Sequence, residues 1–201
     1  MSTLLIPAEQ LVTASAPARR GFLGHATRLT LSASAIGMLA GRSGTAFAAG
    51  DPAQDVAILN VALSLEHEAI TAYQLGAESG LLQKPVLDVA VLFQSHHKAH
   101  RDALAATIRK LGGQPAEAKP AAEVATALNA GSLKNQADVL MLARRLEGGA
   151  AHAYLGVIPS FKDVALAKVA ARLAADETMH WTALTGALGQ ALPAAALSFG
   201  A

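Results

Sequence analysis

The fold is decided by a duplicated pattern: LSLEHEAITAY (63–73) with QSHHKAHR (94–101), and then RLEGGAAHAY (145–154) with ADETMH (175–180). The first segment of each pair contains a glutamate, Glu66 or Glu147, and a tyrosine among apolar residues. The second segment of each pair contains a histidine that follows another polar residue at a spacing of three. Residues three, four or seven apart share one face of a helix. Each pair therefore predicts two helices that carry polar side chains on their inward faces.

The glutamates recur at the same spacing in both halves. Tyr73 follows Glu66 by seven residues, and Tyr154 follows Glu147 by seven residues. A carboxylate on an apolar helical stripe is costly to bury unless it is paired with a cation or binds one. These glutamates are therefore predicted to meet a metal ion, or else an arginine or lysine that neutralises them.

The second helix of each predicted hairpin carries the histidines. His97 and His100 lie three residues apart, as do Glu177 and His180. Two helical hairpins that each supply a Glu and such a pair provide the ligand plan of a dinuclear carboxylate site in a four-helix bundle. The candidate metal ligands are Glu66, His97, His100, Glu147, Glu177 and His180.

The apolar periodicity predicts an all-α domain over residues 49–201. Asp51 and Pro52 are typical of a helix start, and Val89 is predicted to face inward from the second long helix. The glycine pair at 148–149 predicts a close approach by a neighbouring backbone or bulky side chain. The predicted helices run from Pro52 to about 76–80, from Pro85 to Leu111, over about 121–128, over about 134–156, and from about 163 to Leu188.

The connection at 114–133 separates two short hairpins, which is the ferritin-like order of helices. With the four segments quoted above, the chain resembles the ferritin-like superfamily, and within it the exported bacterial ferritin-like domain proteins with twin-arginine signals. The likeness covers about residues 53–189. It implies a four-helix bundle with a long crossover between helices 2 and 3.

The resemblance also implies a division of the ligands between two metal ions. Each ion of such a centre takes a terminal Glu and a His and shares bridging Glu residues. By position, the two ions would take Glu66 with His100 and Glu147 with His180, with Glu177 as a bridge.

His97 departs from this plan, because it occupies the position of the second bridging Glu. A neutral imidazole has one free lone pair and cannot bridge two cations as a carboxylate does. Three outcomes stay open at this point: two ions joined by one carboxylate, one ion held by Glu66, His97 and His100, or a site that binds no metal.

Other polar residues of these helices have weaker assignments. Tyr73 and Tyr154 are predicted either to hydrogen-bond the ligating carboxylates or to pack in the bundle. His67 and His96 are predicted to be solvated or to contact the ligands from the side.

Residues 1–48 resemble a twin-arginine signal peptide. Arg19 and Arg20 precede a mild apolar stretch at 29–40, and Ala46-Phe47-Ala48 offers a cleavage site. The apolar stretch is shorter than the about 20 residues that a membrane span needs. We expect the twin-arginine machinery to export the domain 49–201 to the periplasm.

Composition narrows the function of that domain. The chain has 16 basic and 15 acidic residues, and residues 1–48 contain four Arg and one Glu, so 12 basic and 14 acidic residues remain. This balance gives no basic patch for nucleic acid. The absence of Cys excludes disulfides, iron–sulfur clusters and thiolate zinc sites. No membrane span is predicted in the domain, and a homodimer is compatible with its composition.

By resemblance, the centre would bind Fe or Mn, with one or two ions per chain, and react with dioxygen or peroxide as an oxidase, a ferroxidase or a peroxide-handling protein. The alternative is a metal-free bundle with a degenerate site, acting in envelope stress or as a binding module. A non-covalent haem site is disfavoured by the clustered glutamates. Arginine or lysine beside Glu66, Glu147 and Glu177 would favour the metal-free alternative.

Overall fold

The computed structural model of the chain describes residues 52–161 and 163–199. The predicted signal peptide, residues 1–48, and the predicted cap residue Asp51 lie outside these ranges. All the regular secondary structure of the described residues is helical, and these residues contain no strand. The elements are α1 (Pro52–Glu78), α2 (Lys84–Lys110), α3 (Ala121–Ala127), a 3-10 turn (Ala130–Ser132), α4 (Gln136–Val157), a second 3-10 turn (Ile158–Ser160) and α5 (Val164–Ala187).

The helix ends follow ordinary capping chemistry. The side chain of Asn135 accepts a hydrogen bond from the backbone N–H of Asp138 at the start of α4. At the start of α5, Oδ1 of Asp163 accepts a hydrogen bond from the backbone N–H of Ala165, with 2.7 Å between the oxygen and the nitrogen. Gly112 follows α2 with a φ of 79°, a conformation that glycine adopts without steric cost.

The bundle consists of two antiparallel hairpins, α1 with α2 and α4 with α5, and packing is most extensive within each hairpin. The predicted all-α fold with a long connection between its second and third long helices is confirmed. Asn60 anchors this connection to α1 by bonding Gln114 and Ala116. His67 lies away from the candidate ligands and donates from Nε2 to the carbonyl of Ala116, 3.2 Å away.

Two of the three apolar clusters of the described residues make up most of the bundle core. One includes Leu63, Leu104 and Leu173, and the other includes Phe93 and Leu184. The candidate ligands lie between these clusters along all four long helices, so apolar side chains separate the centre from both ends of the bundle. None of the described helices is long and apolar enough to span a membrane.

Two predictions about packing had opposite outcomes. A Cβ atom on Gly148 would lie 3.0 Å from Cδ1 of Trp181, so the predicted close approach of a bulky side chain is confirmed. The inward position of Val89 is wrong, because this residue is 41% exposed. It lines an apolar cavity of the bundle.

Candidate metal centre

The structure brings all six candidate ligands together in the middle of the bundle. Each long helix contributes, and all six side chains are buried; the most exposed, His100, is only 8% accessible. They form two groups of four whose ligand atoms lie within 4.8 Å of one another. The first group is Glu66, His97, His100 and Glu177, and the second is His97, Glu147, Glu177 and His180.

The first group has Glu66 and Glu177 as its oxygen donors. Nδ1 of His97 is 2.8 Å from Oε2 of Glu66. Nδ1 of His100 is 3.3 Å from Oε1 of Glu177 and 3.6 Å from Oε2 of Glu66. Donor atoms that share one ion at roughly 2.1 Å lie about 3 Å apart, so this spacing suits a common cation.

The second group mirrors the first on α4 and α5. Nδ1 of His180 is 3.3 Å from Oε2 of Glu147 and 3.2 Å from Oε2 of Glu177. Nε2 of His97 is 3.1 Å from Oε1 of Glu147. Glu177 therefore presents Oε1 to the first group and Oε2 to the second, which is the position of a bridging carboxylate.

His97 lies between the groups with one ring nitrogen toward each. Its Nδ1 is near Glu66 and its Nε2 is near Glu147. Carboxylates only accept hydrogen bonds, so both ring nitrogens carry protons when no metal is bound. The His97 imidazolium thus occupies the space between the carboxylates where a metal ion would otherwise supply the positive charge.

Each tyrosine bonds the glutamate of the other half. The Tyr73 hydroxyl donates to Oε1 of Glu147, and the Tyr154 hydroxyl donates to Oε1 of Glu66. Burial raises the pKa of both phenols well above the usual value, and the nearby carboxylates raise it further. Both tyrosines stay protonated and hold one oxygen of each glutamate, while Oε2 of Glu66 faces His97 and His100 and Oε2 of Glu147 faces His180.

Two further residues orient the terminal histidines. Oδ2 of Asp176 is 3.1 Å from Nε2 of His100, and Nδ1 of His96 is 2.9 Å from Nε2 of His180. A partner on the outer ring nitrogen fixes the tautomer and orientation of a ligating histidine. Sequence reasoning did not identify Asp176. Its signal was its position directly before Glu177, which matches that of His96 directly before His97.

No arginine or lysine neutralises the three buried glutamates within the described residues; their ion pairs are all with histidines. Two basic side chains on these helices have other partners. Lys98 donates to Gln94, and Nε of Arg144 donates to Thr185. This is the arrangement that favours a metal ion over a structural salt bridge.

The metal-free centre holds protons tightly. Burial lowers the pKa of His97, but hydrogen bonds to Glu147 and Glu66 outweigh it and raise the pKa to about 11. Burial likewise lowers the pKa of His100, and its carboxylate partners raise it to about 10. Burial and the neighbouring Glu147 raise the pKa of Glu177 to about 7. A bound cation would displace these protons.

Two buried atoms of the centre, Nδ1 of His100 and Oε1 of Glu177, form an ion pair 3.3 Å apart but do not meet hydrogen-bond geometry, and neither has another hydrogen-bond partner. Buried polar atoms are rarely left without a partner, and these two face each other across the first group. Nitrogen and carboxylate donors without thiolate suit Fe(II), Mn(II) or Zn(II). The residues present therefore fit a divalent metal ion.

Comparison with known proteins agrees with the fold. The sequence profile of a family described as Ferritin-like domain matches residues 54–190. The crystal structure of a conserved hypothetical protein, rv2844, from Mycobacterium tuberculosis superimposes with a TM-score of 0.59 at 22% identity. The match covers 73% of this chain and 99% of that one, and at this identity it supports the fold alone. No curated protein matches the chain significantly.

Proposed function

Because the chain belongs to the ferritin-like domain family, we propose that it binds Fe or Mn in the centre between its hairpins. One or two ions are held per chain by Glu66, His97, His100, Glu147, Glu177 and His180. When bound, such ions would supply redox chemistry with dioxygen or peroxide, in an oxidase, ferroxidase or peroxide-handling role.

The observation that supports this proposal best is the position of Glu177. Its two carboxylate oxygens reach separate groups of ligands, and no arginine or lysine of the described residues pairs with it. A carboxylate that is fully buried and shared in this way is costly unless it is protonated or bound to a cation. Metal binding removes that cost for all three glutamates together.

The protein's own residues prepare the centre in three ways. Tyr73 and Tyr154 fix one oxygen of each terminal glutamate, which directs the other oxygen inward. Asp176 orients His100 so that Nδ1 faces the centre. The apolar clusters on both sides exclude bulk water, and in a water-poor site electrostatic interactions are stronger.

Metal content measured by elemental analysis tests the proposal. Protein purified without chelator or metal-affinity resin is compared with the double variant Glu66→Ala, Glu177→Ala. The matched control is Glu117→Ala, Glu123→Ala, which removes two exposed carboxylates. We expect one or two Fe or Mn per chain in the natural protein and in the control, and none in the site variant. Absence of metal from all three, also after anaerobic addition of Fe(II) or Mn(II), would contradict the proposal.

One observation favours a second candidate, a metal-free bundle that acts as a binding module or in envelope stress. The His97 imidazolium already hydrogen-bonds Glu66 and Glu147, so protons alone can neutralise part of the centre. Under this candidate the natural protein would bind no metal, and His97→Gln would destabilise it strongly because two buried carboxylates would lose their cation.

We also propose that the twin-arginine pathway exports the protein to the periplasm. The proposal rests on the arginine pair at 19–20 and the small residues at 46–48. Replacement of both Arg19 and Arg20 by Lys is expected to retain the chain in the cytoplasm, as measured by cell fractionation. Arg28→Lys is the matched control, and retention of that control in the cytoplasm would contradict the assignment.

A further inference from the structure

An apolar cavity of about 320 Å³ lies beside the centre, at the end of the bundle where α1 joins α2. Its inner wall contains Tyr73, Phe93 and Leu184, and its outer end contains Leu82 and Leu133. Packed protein interiors leave few voids larger than a water molecule. A cavity of this size is at the lower end of the range for small-molecule pockets, which begins at about 300 Å³.

The cavity has an almost entirely apolar lining. The Tyr73 hydroxyl is the only polar side-chain group among its lining residues, and it is already bonded to Glu147. A lining without free polar groups gives water nothing to bind, and such cavities stay dry and take apolar ligands. The absence of a charged lining residue also leaves an ionised ligand head without a partner.

The cavity extends along the bundle axis. On α2 its lining residues run from Pro85 to Phe93, which at 1.5 Å per residue is about 12 Å. The cavity is accessible at Val89, a lining residue that is 41% exposed. The described C-terminal tail lies elsewhere, because the Phe199 ring packs 4.8 Å from Trp181 between ring centroids.

The inner wall of the cavity is also the wall of the metal centre. The Phe93 ring stacks on His180 with 4.1 Å between ring centroids. The Tyr73 ring lies 5.4 Å from His97, and its hydroxyl bonds Glu147. One layer of aromatic side chains thus separates a molecule in the cavity from two candidate ligands.

We propose that this cavity binds an uncharged aliphatic molecule, with one end against Tyr73 and Phe93. By scaling from a 150 Å³ cavity that holds benzene, the volume suits about twelve carbon atoms. The binding itself does not depend on metal. That the molecule is presented to a metal centre rests on the proposed function.

Fluorescence titration with 1-naphthylamine, a neutral dye of eleven non-hydrogen atoms, tests the cavity on the full chain. We expect saturable binding of one dye per chain, displaced by 1-decanol at lower concentration than by decanoate. Ala90→Phe and Ala143→Phe place rings in the cavity from opposite walls and should weaken dye binding at least about tenfold. Ala106→Phe, on the exposed face of α2, should leave dye binding unchanged.

Circular dichroism melting shows whether each variant folds, and Ala143→Leu provides a milder filling variant. Dye binding that persists in folded Ala90→Phe and Ala143→Phe, or that is absent from the natural protein, would overturn the proposal. Displacement by decanoate in preference to 1-decanol would overturn the uncharged class of ligand.

Repeating the titration with metal-free and Co(II)-loaded protein separates this inference from the proposed function. Dye binding without Co(II) binding would leave the cavity assigned and the metal function refuted. Co(II) binding without dye binding would support the metal function and refute the cavity as a binding site. If both bind, 1-decanol should change the visible Co(II) spectrum, and an unchanged spectrum would refute contact between the cavity and the centre.

Discussion

The two halves of the bundle place equivalent side chains around the centre but differ at two pairs of positions. One half presents His96 and His97 where the other presents Asp176 and Glu177. Both halves place a glutamate on the first helix and a histidine at the end of the second motif. The halves therefore differ in the charge of these side chains, and not in the geometry of the centre.

The hydrogen-bond partners of His100 and His180 each come from the opposite hairpin. Asp176 holds His100 of the other hairpin, whereas His96 holds His180. A carboxylate partner raises the basicity of a histidine ligand and fixes its orientation, and a neutral imidazole does so less. The first group, with His100, is therefore expected to bind metal more tightly than the second.

The largest expected effect comes from the residue that the two groups share. Glu177→Gln keeps the shape of the side chain but removes the charge that faces both groups. We expect metal affinity to fall by on the order of 100-fold or more, measured by anaerobic titration calorimetry. Glu123→Gln, an exposed substitution on α3, should change nothing. Unchanged affinity in Glu177→Gln would show that the groups do not depend on this carboxylate.

The pH dependence sharpens the comparison, because the first group contains both His97 and His100. Their raised pKa values, about 11 and about 10, mean that metal must displace protons near neutral pH. We expect metal affinity to rise about tenfold per pH unit for each proton displaced. The rise should be steeper for the first group, which is expected to bind metal more tightly. Affinity that is constant with pH would contradict this protonation.

The metal-free protein should show the opposite trend. The raised His97 pKa contributes stability that is fully present below about 6.5 and is lost as the pH rises to about 11. The raised pKa of Glu177, about 7, likewise lowers the stability of the folded protein as the pH rises. Urea denaturation at increasing pH should therefore show falling stability without metal, and a smaller decrease with metal.

His97→Glu makes the two halves alike in the middle of the centre. A second shared carboxylate should raise affinity for the second ion about tenfold, because it adds one negative charge between two cations. The metal-free variant should lose about 2 kcal/mol of stability, because a buried imidazolium is replaced by a carboxylate. Calorimetry and urea denaturation measure the two effects. Weaker metal binding in the variant would show that His97 is itself a required ligand.

The smallest expected effect concerns the crossed partners. Asp176→Asn should weaken the first group about tenfold, and His96→Gln should weaken the second group about threefold. Two-site titration calorimetry distinguishes the two affinities. Equal effects of both substitutions would remove the proposed difference between the halves.

The sequence was sufficient to predict the helices, the crossover and the six residues that meet in the centre, because helical spacing determines which side chains share a face. It did not indicate which helix each face meets. Tyr73 bonds Glu147 rather than Glu66 because α1 and α4 are antiparallel, and seven residues span about 10 Å along one helix. The positions of Asp176 and Val89 likewise depend on contacts between helices, which periodicity alone does not specify.

The most direct test of the two-group centre is an anaerobic Mn(II) titration of the metal-free protein followed by electron paramagnetic resonance. We expect saturation at two ions per chain, a first ion that binds more tightly, and magnetic coupling between the two ions that disappears in Glu177→Gln. Saturation at two uncoupled ions, or the absence of any bound Mn(II), would contradict a centre joined by Glu177.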